Sequence, residues 1–79
     1  MQNRIVLNSG GRYSNSVDID GILVNPSADA WSVVLQDSEG IIIFTASGKY
    51  QAPFYAPITV SADACNMTTA TNISNVVLY

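Results

Sequence analysis

The sequence predicts an all-β fold, a small antiparallel β-sandwich or partly closed barrel of six to seven short strands forming one domain over residues 1–79. Three observations carry that prediction. Apolar residues alternate with polar ones from Trp31 to Gln36, the two-residue period of a strand. Turn-forming residues recur between the apolar runs at intervals of about ten residues, as in small sandwiches and barrels. No segment reads as a helix.

Taken in order, Arg4 to Asn8 is a first short strand, closed by Ser9, Gly10 and Gly11. Between Asp18 and Asn25 the apolar positions Ile19, Ile22, Leu23 and Val24 approach a helical spacing. Asp20 and Gly21 interrupt it and Pro26 stops it, so a strand from about Gly21 to Val24 is expected. Pro26, Ser27, Ala28 and Asp29 form the turn into the central hairpin, Trp31 to Ala46.

In that hairpin Trp31, Val33 and Leu35 make a core face. Asp37, Ser38, Glu39 and Gly40 make the turn, with Gly40 able to take positive φ. The return run Ile41, Ile42, Ile43, Phe44 is apolar at every position, which predicts cover on both faces. Ile42 and Phe44 are expected on one face and Ile41 and Ile43 on the other, the face not needed internally being a candidate subunit contact. A loop from Ser47 to Pro57 follows, then strands at Ile58 to Ser61, Cys65 to Thr71 and Asn75 to Tyr79. The last, NVVLY, stays apolar to its end and is expected to be tied into a sheet.

Composition bears on how so short a chain holds together. A domain of 79 residues buries a modest share of its surface against the conformational entropy of ordering it. Small domains add a staple, yet Cys65 is the one cysteine and there is no histidine, which excludes an intrachain disulfide and the usual zinc cages. Self-association is the remaining common route, and 48% hydrophobic against 11% charged residues fits it. A net charge of −3, with Arg4, Arg12 and Lys49 the only cations and far apart, speaks against nucleic acid. No apolar run approaches a membrane span, and MQNRIVLN lacks a charged leader before a long apolar core, so no membrane role and synthesis in the cytoplasm are expected.

Chemistry finds little support. Asp18 and Asp20 before Gly21 resemble the start of a calcium loop, but the carboxylate that would complete it is missing, and a turn is expected instead. Asp37 and Glu39 sit at a hairpin tip, where solvated turn residues belong. Without histidine, a Ser-His-Asp or Cys-His site cannot be built, and Lys49 has no S-x-x-K spacing. Cys65 has no neighbouring cation to activate it and reads as a small buried hydrophobe. Asn66-Met67-Thr68 and Asn72-Ile73-Ser74 match the glycosylation pattern and are read as unmodified. No enzyme, no catalytic residue, no metal and no cofactor are therefore expected.

The better candidate for function is the stretch from Tyr50 to Pro57, where Tyr50, Phe54 and Tyr55 interleave with Pro53 and Pro57. Stiff aromatic surface is what interfaces use as anchors, and Tyr50, Pro53, Phe54 and Tyr55, with Ile42 and Phe44, are the candidate partner-binding residues. Two other readings stand beside it: the loop folds back over the open end of its own sandwich, or it stacks against sugars.

The run Ile22 to Asp37, ILVNPSADAWSVVLQD, with Gly40 and Phe44 and the closing TNISNVVLY from Thr71 to Tyr79, resembles small β-rich structural proteins of tailed bacteriophages, especially those infecting cyanobacteria. The resemblance implies a virion component. Its expected roles are a capsid decoration or cement protein that forms homo-oligomers, trimers foremost, on the capsid surface and binds the major capsid protein. The alternatives are a tail or neck component, or a host-adhesion module that binds carbohydrate.

Overall fold

A computed structural model of the chain describes residues 4–79. Ten strands are present among them: β1 (Ile5–Asn8), β2 (Arg12–Tyr13), β3 (Val17–Ile19), β4 (Ile22–Pro26), β5 (Trp31–Gln36), β6 (Ile42–Gly48), β7 (Phe54–Ala56), β8 (Val60–Ala62), β9 (Cys65–Thr71) and β10 (Ile73–Leu78). All the pairings are antiparallel. One four-stranded sheet has the order β1-β10-β4-β7, a second the order β2-β9-β5-β6, and β3 pairs with β8 as a separate two-stranded sheet. The fold is all-β and sandwich-like, and no sheet closes into a barrel.

Alternation places the core between the two large sheets. Leu7, Ile22, Val24, Val76 and Leu78 come from the first sheet and Trp31, Val33, Leu35 and Met67 from the second, all buried in one continuous cluster that also takes in Val17 and Ile19 of β3. Trp31, Val33 and Leu35 thus occupy the core as their spacing predicts. No polar or charged side chain among the described residues is buried, so the interior is held by apolar contact and the backbone ladders.

The turns follow local chemistry. At the β5–β6 tip Asp37 Oδ1 accepts hydrogen bonds from the Glu39 and Ile41 amides, both at 2.9 Å, and Gly40 takes φ 81°. Asn72, at φ 54°, is the one residue between β9 of the second sheet and β10 of the first, and its side-chain amide donates to the Asp29 carbonyl at 2.8 Å. The chain's end is tied in, since β10 lies between β1 and β4 and the Tyr79 amide continues the ladder to the Gly21 carbonyl at 2.9 Å.

Several expectations are corrected. Ten strands replace six to seven, because β2 and β3 are too short to show a period and Asp20-Gly21 separates β3 from β4. The expected loop from Ser47 to Pro57 contains the end of β6 and all of β7. The strand expected at Ile58 to Ser61 lies at Val60–Ala62. Within the chain itself the return run is covered on one face, with Ile41 and Ile42 60% and 57% exposed.

Candidate functional site

The expected partner-binding residues do not form one surface. Ile42 and Phe44 were expected to share a face, but the β5–β6 register shifts between Leu35 and Gln36, so that Leu35 faces Phe44 and Gln36 faces Ile42, leaving Ile43 as the extra residue. Directly paired residues share a face, so Phe44 turns inward with Leu35 while Ile42 turns outward with Gln36. Phe44 is 9% exposed and its side chain belongs to the core.

The aromatic segment divides in the same way. Phe54 pairs with Val24 on the inner side of β4, and its ring meets Trp31 at 5.9 Å between centroids, tilted by 42°. The Trp31 Nε1 donates to the Tyr50 carbonyl at 3.0 Å. This part of the segment therefore packs against Trp31 of its own chain. Tyr50 is 67% exposed, with the Lys49 Nζ 5.6 Å from its ring centroid, and Pro53 is exposed. Tyr55, one residue after Phe54, points the opposite way, onto the outer face of the first sheet.

On that outer face the register assembles a row the sequence did not announce. Val6 pairs with Val77, Val77 with Leu23, and Leu23 with Tyr55, so one apolar side chain from each of β1, β10, β4 and β7 stands in line across the sheet. Val6 and Tyr55 are 57% and 52% exposed, and Leu23 and Val77 half-buried. Tyr79 extends the patch, its ring edge-on to Tyr55 at 6.3 Å. A second row beside the first is amide: Asn8, Asn75 and Asn25 are paired across three strands, and Asn25 Nδ2 donates to Asn75 Oδ1 at 2.8 Å. None of these paired positions carries a charge. The signal for the row lay in Leu23 and Val77, apolar residues at the off-phase positions of ILVN and NVVL, where a one-sided strand would place polar ones.

The outer face of the second sheet is of another kind. Its rows are Ser47, Ser32 and Thr71, then Thr45, Val34 and Thr69, a hydroxyl-rich surface. Elsewhere a shallow depression of about 350 Å³ between β3 and β8 is lined by Ser16, Val17, Asp18, Ser61, Ala62 and Asp63. Its carboxylates are tied to serines. Asp18 accepts from Ser61 Oγ at 2.7 Å, and Asp63 accepts from the Ser38 amide and hydroxyl, which hold its carboxyl below the usual range. Asp18 stands in β3 and Asp20 in the turn that follows, and among the described residues no three metal-ligating side chains gather. Cys65 is fully buried, and desolvation pushes its thiol up to about 11. No protein-family model and no curated protein matches this chain.

Proposed function

We propose that this chain is a structural virion protein, a capsid decoration or cement module that associates with itself and binds across major capsid protein subunits. The observation that carries the reading is the uncharged apolar row Val6, Val77, Leu23 and Tyr55 on the outer face of the first sheet. A one-sided sheet facing water would carry polar residues there, and a contiguous apolar patch rimmed by amides is the usual anatomy of a protein contact. The phage setting rests on the resemblance of Ile22 to Asp37 and Thr71 to Tyr79. A cement protein acts by multiplicity: many copies, each adding modest contact across the joints of a shell, together oppose the outward pressure of packaged DNA.

The sugar-binding alternative would need its aromatics on one surface, whereas Phe54 and Tyr55 point to opposite faces of β7 and Phe54 meets Trp31. The test compares particles assembled with and without the chain for resistance to heat and low ionic strength. Protection is expected from the native chain and not from a folded Val6→Lys, Val77→Lys double variant. Equal stability of particles with and without the chain overturns the reading, and saturable binding on a glycan array would favour the adhesion module.

A further inference from the structure

The second sheet ends on β6, the longest edge strand of either large sheet, with seven residues against four in β1, three in β7 and two in β2. One side of β6 is paired to β5, and among the described residues no strand pairs with its other side. Edge strands are ordinarily blunted by charge or proline, and Ile42–Gly48 contains neither. The one blunting device present, the extra residue Ile43, sits near its start and leaves the stretch from Phe44 to Gly48 regularly paired.

We propose that the free edge of β6 pairs antiparallel with β6 of a second copy of this chain about a two-fold axis at Thr45, joining two four-stranded sheets into one of eight. The sequence of the strand is self-complementary about that point. Within the regularly paired stretch, Phe44 of one copy meets Ala46 of the other on the inner face, so that a large residue faces a small one on either side of the axis. Thr45 meets Thr45, a favourable cross-strand pair, and its side chain is exposed in the lone protomer. A two-fold edge contact is isologous, each copy supplying the same donors and acceptors to the other, and it closes at two protomers rather than three.

This inference rests on the self-association in the reading above, but its test is separate. Sedimentation equilibrium of the full chain should give a dimer. Thr45→Lys and Thr45→Glu each place like charges across the axis and should each weaken association by about a hundredfold, with Trp31 fluorescence unchanged as evidence of folding. An equal mixture of the two variants should recover the dimer, because the opposed charges are then unlike. A native monomer, a native trimer, a Thr45→Lys dimer as tight as the native one, or a mixture that stays monomeric overturns the edge pairing. Shell protection by a chain that is monomeric in solution would leave the cement reading standing and remove only this contact.

Discussion

Trp31 lies flat across Gly48, its partner in the β5–β6 ladder, so closely that a Cβ at Gly48 would overlap the indole ring. An aromatic side chain shields the strand glycine from across the pair, and the absence of a side chain lets the ring lie down over the edge. That position brings Nε1 to the Tyr50 carbonyl and the ring to Phe54. A single glycine thus sets where the indole lies and which groups it reaches.

Gly48→Ala should therefore destabilise the protein by about 1–3 kcal/mol, the range for forcing volume into a packed site. The methyl would push the indole off, breaking the Nε1 bond and separating Trp31 from Phe54. Thermal unfolding measures the loss, and a red shift of Trp31 emission in the folded state reports its cause. An unchanged midpoint and spectrum would mean the indole has room the structure does not give it.

Ala30 adopts φ 56°, in the left-handed region that penalises a Cβ. It is held there from three sides. Its amide donates to the Lys49 carbonyl at 3.0 Å, its carbonyl accepts from Asn72 Nδ2 at 3.3 Å, and the same Nδ2 reaches the Asp29 carbonyl at 2.8 Å. Ala30→Gly should raise stability by about 0.5–1 kcal/mol, since the strain it removes exceeds the entropy it adds to the unfolded chain. Chemical denaturation at constant m-value is the measurement, and a loss of stability would show that Ala30 is unstrained.

Much of the ladder was legible because alternation and turn residues coincide. Trp31–Gln36 and Cys65–Thr71 have the expected bounds, and β1, β4 and β10 differ by a residue or two. What was hidden depends on pairing. Pro53 and Pro57 argued for a loop, yet they only flank β7, an edge strand paired on one side, where a missing amide on the other costs nothing. The two-residue period puts Ile42 and Phe44 on one face, and the extra residue at Ile43 separates them. The row Val6, Val77, Leu23 and Tyr55 exists only through the register of four strands distant in sequence. A sequence shows the period of each strand but not which strands lie side by side.

Cys65 supplies the test of core integrity with pH. Its side chain is fully buried at the start of β9, and burial raises the thiol from its ordinary 9.0 to about 11. The folded state then holds the proton to higher pH than the unfolded state does, so stability is whole below pH 9.0 and falls as pH rises towards about 11. Cys65→Ala should remove this component of the alkaline decline, leaving a flatter profile across that window on top of the cost of the smaller side chain. The same desolvation lowers the thiolate fraction near pH 8 by about a hundredfold, so alkylation of the native protein should be slowed at least that much relative to the unfolded chain. Because the sulfur is enclosed, residual labelling should follow the opening of β9, its rate rising in step with denaturant. Alkylation of the native protein at the rate of a free thiol, insensitive to denaturant, would place Cys65 outside the core and count against the packing of β9 on β5.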